Sequence, residues 1–263
     1  MKNELKPRAC EVVDIIPETK NEYTFRLKKD VEVNHGQFFQ VSLPKIGEAP
    51  ISVSDFGNDW MDFTIRRVGK VTNKLFEIEP GDKIFLRGPY GNGWPLDKFM
   101  GKNMVVIAGG TGVSPVRSLI NKFYTDQNFI KDVHIIIGFR DEENIIFKRD
   151  LLNWEKRFNT IYTLDKNKKE GWEVGFVTKH IDKVPFDNFN DNYEVVIVGP
   201  PQMMHYAGIE CVKNGVSDEK IWVSFERKMS CGIGKCGHCR IDDVYVCLDG
   251  PVFNYSKAKK LLD

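Results

Sequence analysis

Four cysteines, Cys231, Cys236, Cys239 and Cys247, fall within seventeen residues near the end of a 263-residue sequence that has six in all. Their spacing is C-x4-C-x2-C-x7-C, and a C-x4-C-x2-C run with a fourth cysteine downstream is the plant-type spacing for a 2Fe-2S cluster. The four-residue loop reads Gly-Ile-Gly-Lys, and its glycines let backbone N–H groups approach the sulfurs, where they stabilise the charge added on reduction. The alternative is a structural zinc site with four thiolates, although zinc ribbons usually pair two C-x2-C knuckles and one is present here. His238 lies between two ligands and reads as a solvated or supporting group, since four thiols already suffice. Cys10 and Cys211 have no partner at ligand spacing and read as a strand thiol and a helix core residue.

A second chemistry-bearing stretch is AGGTGVSPV at 108–116, between an apolar strand and a helix. Gly109, Gly110 and Gly112 would let the backbone approach a pyrophosphate, Thr111 offers a hydroxyl, and the helix N-terminus favours negative charge. Pro115 suits the first turn of that helix. One glycine turn alone is also what a ligand-free strand-to-helix connection looks like. A second turn, VGPPQMM at 198–204, closes another strand of the same expected sheet, and two such strand ends make a ligand crevice.

The elements that must position these groups change character along the chain. Residues 8–90 hold short β-rich runs (ACEVVDII, EYTFRLKK, QFFQVSL, ISVSDF, WMDFTIRRV, DKIFLRG) separated by Gly, Pro, Asn and Asp, with few helical patterns, and predict a small antiparallel barrel or sandwich. From about residue 100, strands MVVIAGG, VHIIIGF, NTIYTL and EVVIVGPP alternate with helices through PVRSLINKFY, FKRDLLNWEKRF and MMHYAGIECVKNG, the signature of a parallel doubly wound sheet. The alternation stops after Trp222. The expected division is therefore a barrel at 1–99, an α/β domain at 100–224 and a small cysteine-bearing lobe at 225–263.

Composition excludes several classes. Lys plus Arg number 38 against 37 Asp plus Glu, so no excess charge points to nucleic acid or an anionic membrane. The first residues are charged, no eighteen apolar residues are consecutive, and the chain is expected to be cytoplasmic, without a membrane span. In a reducing compartment clustered cysteines bind metal or do redox chemistry rather than form structural disulfides. The five histidines (His35, His134, His180, His205, His238) have no metal-ligand spacing, and no side chain is singled out as a catalytic acid, base or nucleophile.

Taken in order, GPYGNGW, AGGTGVSP, VGPPQMM and the terminal C-x4-C-x2-C-x7-C resemble the ferredoxin-reductase family. Within it, the chain is similar to the iron-sulfur branch that holds the electron-transfer subunit of dihydroorotate dehydrogenase and the gamma subunits of some hydrogenases. The stretches GQFFQVSLPKIGEAPISVSD, VGKVTNKLF, GNGWP and GKCGHCRIDDVYVCLDGPVFNY resemble the B subunits of anaerobic sulfite reductase. The resemblance covers nearly the whole chain and implies an FAD-binding barrel, a Rossmann-like nicotinamide-binding domain and a C-terminal 2Fe-2S lobe.

Carried onto this sequence, the resemblance implies a flavin site at Pro50, Ile51 and Ser52, where the broader family has Arg-x-Tyr-Ser; the Arg and Tyr are absent here. It places Arg66, Arg67 and Val68 beside the flavin and the backbone of Gly69 through Val71 to Thr72 against its phosphates. Either arginine could supply the missing charge, because guanidinium binds phosphate oxygens bidentately. On the residues alone, PISVS is a strand and the arginines are a solvated strand face. The resemblance also sets Gly109, Gly110, Thr111 and Gly112 with Gly199, Pro200 and Pro201 around the nicotinamide cofactor. NADH is expected over NADPH because Asp141, Glu142 and Glu143 after VHIIIGF would repel a 2'-phosphate, though Arg140 argues the other way and such acids are often merely solvated.

Nicotinamide gives two electrons as a hydride, an iron-sulfur cluster takes one at a time, and a flavin does both, so the implied order is NADH, FAD, 2Fe-2S, acceptor. Sulfite reduction calls for a haem-type centre with further clusters, and after the four assigned cysteines only Cys10 and Cys211 remain. The implied partners are a catalytic haem/iron-sulfur sulfite-reducing subunit and a further iron-sulfur subunit. Phe253 and Tyr255 are candidates for that docking face or, equally, for packing inside the lobe. The alternatives are the same electron-transfer role serving dihydroorotate dehydrogenase or a hydrogenase, and a flavin-free, zinc-stabilised adaptor, which the missing Arg and Tyr would favour.

Overall fold

A computed structural model describes residues 5–261. The chain forms two compact units: residues up to Trp94 with 114–118 and 226–252, and residues 95–113 and 119–225 with those from Phe253 onward.

The first unit is built on seven strands, β1 (Arg8–Pro17), β2 (Glu22–Lys28), β3 (Phe38–Leu43), β4 (Gly47–Ser52), β5 (Asp55–Phe56), β6 (Trp60–Arg66) and β7 (Lys83–Tyr90), in the order β4-β3-β7-β1-β2-β6-β5. All their pairings are antiparallel, as the turn-punctuated sequence predicts. In β6 the side chains of Met61, Phe63 and Ile65, at every second position, are buried. Phe25, Phe39 and Phe63 are fully buried, and Phe39 meets Phe63 edge-on at 5.5 Å. Each such ring contributes roughly 2–3 kcal/mol of burial.

Two details differ from expectation. The run ISVSDF is two strands, because at Ser54 both the backbone N–H (2.9 Å) and the hydroxyl (3.1 Å) donate to the carbonyl of Asp62 and Val53 N–H donates to Gln37 O, turning the chain between β4 and β5. Helix α1 (Lys70–Leu75) also interrupts the strands. It starts at an extended Gly69, where the Thr72 hydroxyl accepts from the N–H groups of Val68 (3.0 Å) and Gly69 (2.9 Å) and closes the first turn.

In the second unit, after a short α2 (Leu96–Phe99), come β8 (Asn103–Gly109), α3 (Ser114–Thr125), β9 (Asp132–Phe139), α4 (Lys148–Glu155), β10 (Asn159–Leu164), β11 (Glu173–Val174), β12 (Tyr193–Val198), α5 (Pro201–Lys213) and β13 (Ile221–Ser224). The sheet order is β11-β10-β9-β8-β12-β13-β16, with β16 at Val252–Asn254, and β8 through β13 pair in parallel. Every residue of β8 and of β12 is buried, as a sheet covered on both faces requires. Strand order reverses at β8: β9 lies on one side and β12 on the other. That makes the C-terminal ends of β8 and β12 the topological switch point.

The cysteine segment carries a small hairpin, β14 (Arg240–Ile241) with β15 (Val244–Tyr245), then α6 (Val246–Asp249). The closing helix α7 is Tyr255–Ala258. Phe253 and Tyr255 are each 4% exposed, so of the two readings for them packing is the one realised. Phe253 meets Phe225 at a tilt of 38° with ring centroids 5.4 Å apart, and Gly208 of α5 has no room for a Cβ because the Tyr255 ring fills it. Neither ring is available as a docking face.

Candidate functional site

The four cysteines come together as two pairs. Cys231 lies beside Cys236, and Cys239 beside Cys247, close enough for each pair's thiols to shift one another's titration. Cys236 is exposed and Cys231 half-buried, whereas Cys239 and Cys247 are each 2% exposed. Gly232 and Gly234 adopt left-handed backbone (φ +76° and +70°), which an L side chain resists. The turn they create aims three N–H groups at sulfur: Ile233 (3.4 Å) and Lys235 (3.3 Å) donate to Cys231, and Gly234 (3.1 Å) donates to Cys247.

These amides have an electrostatic consequence. Burial pushes the Cys231 thiol up, but the backbone donors from Ile233, Lys235 and Cys236 outweigh it and bring the group down to about 6. Cys247 goes the other way, to about 12, through burial and then the Cys239 thiol beside it. Among the described residues no three His, Cys, Asp or Glu side chains converge on a point suited to a single ion. A two-iron cluster asks for thiolates two by two, with amides on the sulfurs, and the residues present fit it. A bound 2Fe-2S cluster would supply one-electron transfer. His238 is exposed, while Cys10 and Cys211 are buried in their strand and helix and raised to about 11 and about 12 by burial.

The two glycine turns also meet. Gly109 ends β8, Gly110–Val113 form a single 3-10 turn, and α3 follows with Pro115 in its first turn. Gly199 and Pro200 link β12 to α5, which begins at Pro201. A Cβ on Gly112 would lie 2.6 Å from both the Gly199 Cα and the Val198 carbonyl, so the turns touch backbone to backbone. The Met203 thioether fills the space in front of Gly109 and Gly199. Gly110 and Thr111 are half-buried and Pro200 and Pro201 exposed, so this rim of the switch point is open to a ligand.

Inside the motif, Ser114 is 5% exposed, and its hydroxyl in the first turn of α3 has no partner among the described residues. Of the acids after β9, Asp141 caps a short turn by accepting from Asn144 N–H at 3.2 Å, and Glu142 pairs with Lys169 at 3.1 Å. The Arg140 side chain is exposed, 3.7 Å from Asp141.

The residues assigned to flavin by resemblance form one neighbourhood in the first unit. Pro50, Ile51 and Ser52 are half-buried on edge strand β4, paired with Gln40, Phe39 and Phe38. Gly47 of the same strand packs against Val71, 3.2 Å from a Cβ placed on Gly47 to Val71 Cγ2, which brings β4 beside the segment Gly69, Val71, Thr72 at the start of α1. Arg66 is bridged to the buried Glu22 at 3.1 Å, so its charge is already matched. Among the described residues Arg67 makes no ion pair; it is exposed and lies 5.8 Å over the Phe76 ring. Val68 is 73% exposed, an apolar side chain with nothing of the protein over it.

Comparison with known proteins gives the same parts. Residues 106–208 match the oxidoreductase NAD-binding domain, and 226–259 match the iron-sulfur cluster binding domain of dihydroorotate dehydrogenase B. The chain is 33% identical over 272 residues to the sulfhydrogenase 2 gamma subunit of Pyrococcus furiosus, with 94% of each chain covered. It is 31% identical over 258 residues to the probable dihydroorotate dehydrogenase B (NAD(+)) electron transfer subunit of Methanocaldococcus jannaschii, covering 97% of this chain and 92% of that one. A solved structure of the NADH-dependent reduced ferredoxin-NADP oxidoreductase superposes with TM-score 0.77 at 24% identity over 96% of this chain and 92% of that chain, a likeness of fold.

Proposed function

Because the chain belongs to the family of electron-transfer subunits that includes sulfhydrogenase gamma subunits and dihydroorotate dehydrogenase B electron transfer subunits, we propose that it is the NADH-oxidising entry subunit of a larger complex. In this reading it accepts a hydride from NADH onto FAD and passes the electrons singly through a 2Fe-2S cluster to a partner that reduces sulfite to sulfide. The observation that carries the electron-transfer role is the pair of thiol pairs under three sulfur-directed amides, in a chain that also has an NAD-binding domain.

The division of labour follows the segments 1–99, 100–224 and 225–263. Cys231, Cys236, Cys239 and Cys247 hold the cluster. Gly109, Gly110, Thr111 and Gly112 with Gly199, Pro200 and Pro201 hold the NADH. Pro50, Ile51, Ser52 and Val68 line the flavin. The backbone of Gly69 to Thr72 would hold its phosphates, with Arg67 rather than the already paired Arg66 giving the positive charge. Asp141 at the end of β9 favours NADH. No side chain has to move a proton at carbon, so the protein's work is to hold carriers and exclude water.

Support for sulfite as the terminal substrate comes from the stretches that resemble the B subunits of anaerobic sulfite reductase. The relatives in hydrogenases and dihydroorotate dehydrogenase support the same entry role with a different acceptor. No helix of the described residues is long and apolar enough to cross a membrane. The test is anaerobic purification of the complex from its source. NADH should bleach flavin and cluster absorbance in a sample that contains iron and no zinc, and NADH plus sulfite should yield sulfide. Hydrogen turnover or orotate formation in place of sulfide would move the acceptor to the second reading, and a colourless, zinc-loaded protein would overturn electron transfer altogether.

A further inference from the structure

Strand β7 ends Arg-Gly-Pro-Tyr, and its Arg87 is a cation with a 6% exposed side chain. A guanidinium has five N–H donors in a rigid fork, and here all five are used. Nε donates to Glu48 Oε2 (3.1 Å), Nη2 to Glu48 Oε1 (2.5 Å) and to the Ser230 carbonyl (2.6 Å), and Nη1 to the Cys231 carbonyl (2.9 Å) and the Tyr90 hydroxyl (3.3 Å). Two of these acceptors are the backbone of the residue that bears the first cluster thiol and of the residue before it. Tyr90 continues the grip, since a Cβ on Gly232 would lie 2.7 Å from its ring. Residues 230, 231 and 232, the base of the sulfur-directed amide turn, are thus fastened to one barrel strand. The counter-charge sits on β4, where the Glu48 side chain is 31% exposed.

We propose that Arg87 and Glu48 are a positioning pair for the iron-sulfur cluster: Arg87 holds the Cys231 turn in its amide-presenting shape and sets a fixed positive charge behind it, and Glu48 offsets part of that charge. Reduction adds one electron to a centre already made negative by four thiolates, so a buried cation nearby favours the reduced form and a carboxylate opposes it. Because Arg87 is out of water, salt screens its effect weakly. A clamp with no electrostatic role would respond differently: loosening the turn from either end would disturb the cluster in the same direction. Opposite signs for the two partners are therefore the signature. The inference rests on the iron-sulfur assignment of the four thiols and is independent of which partner takes the electrons.

The experiment is a potentiometric titration, followed by electron paramagnetic resonance, of the full chain carrying its cluster, for wild type, Arg87→Gln, Arg87→Lys and Glu48→Gln, with iron release to a chelator measured alongside. Arg87→Gln should move the one-electron equilibrium at least threefold toward the oxidised form, about 30 mV at 59 mV per tenfold. Glu48→Gln should move it at least twofold toward the reduced form. Arg87→Lys keeps the charge and should stay within threefold of wild type, yet release iron faster, because three donors on a flexible stem cannot span Glu48, Tyr90 and both carbonyls. Shifts of the same sign in Arg87→Gln and Glu48→Gln, or none, would overturn the charge-setting role, and wild-type iron retention in Arg87→Lys would overturn the clamp. If Arg87→Gln does not fold, the sign of the Glu48→Gln shift decides alone. A wild-type protein without an iron-sulfur signal would instead remove the cluster assignment itself.

Discussion

Gly112→Ala tests whether the two glycine turns are one structure. The new Cβ would lie 2.6 Å from the Gly199 Cα and the Val198 carbonyl and 2.8 Å from the Gly199 nitrogen, all backbone atoms that no rotamer change can clear. Carbon atoms settle at about 3.5–4.0 Å, so the ends of β8 and β12, paired at Ala108 and Val198, must part by roughly 1 Å. Overpacking of this kind costs about 1–3 kcal/mol. At about 2–4 °C per kcal/mol for a protein of this size, the unfolding midpoint should fall by roughly 2–12 °C. A shift of that size in a ligand-positioning turn should also weaken NADH binding at least tenfold. Gly109→Ala is the control: its Cβ meets only the Met203 thioether, the end of a flexible side chain that can swing away, so it should cost under about 1 kcal/mol. Thermal unfolding and NADH titration of the three proteins decide the matter. A Gly112→Ala protein with wild-type midpoint and affinity, or a Gly109→Ala protein whose midpoint falls as far, would refute the reasoning.

Other perturbations follow from buried polar groups. Asp62, with no exposed surface, accepts from Arg26 (2.8 and 2.9 Å) and Arg117 (3.2 Å), so Asp62→Asn should cost about 3 kcal/mol in denaturant unfolding, the low end for a broken buried pair because Arg26 is partly exposed. The Gln40 amide is fully buried with neither atom partnered among the described residues, so Gln40→Met should stabilise the cofactor-free protein by about 1 kcal/mol in urea; a comparable loss would show that the amide is satisfied. In metal-free protein, Cys231 should be alkylated first. With its thiol lowered to about 6 by amides, its rate, read by mass spectrometry, should climb from pH 5, bend near pH 6 and level off by pH 8, while Cys10 and Cys211, pushed up to about 11 and about 12, stay inert. A Cys231 rate still rising steeply above pH 8 would show that the amides do not stabilise the thiolate.

The parts of the site that were legible in the sequence are those whose chemistry is local. Four thiols within one turn-rich segment and a Gly-Gly-Thr-Gly turn between a strand and a helix carry their own geometry, and the alternation of strand and helix after residue 100 requires a parallel sheet whose switch point brings the second glycine turn to the first. What could not be read is what closes over long separations. Arg87 and Cys231 are 144 positions apart, and in DKIFLRGPY the arginine looks like any solvent-facing residue of a strand. Glu48 likewise looks like a loop acid, and only the pairing of β3 with both β4 and β7 brings it to Arg87. Phe253 and Tyr255 were ambiguous for the same reason, since an aromatic near a chain end is a docking face or a core residue according to what distant residue meets it, here Phe225 and Gly208. The same distance dependence bears on the flavin segment. Arg66 and Arg67 are equal candidates in sequence, but the register of β2 with β6 sets Arg66 opposite the buried Glu22, so the charge of Arg66 is already matched and Arg67 is the one left to meet an anion. Replacing Arg67, and not Arg66, should therefore be the change that weakens flavin retention.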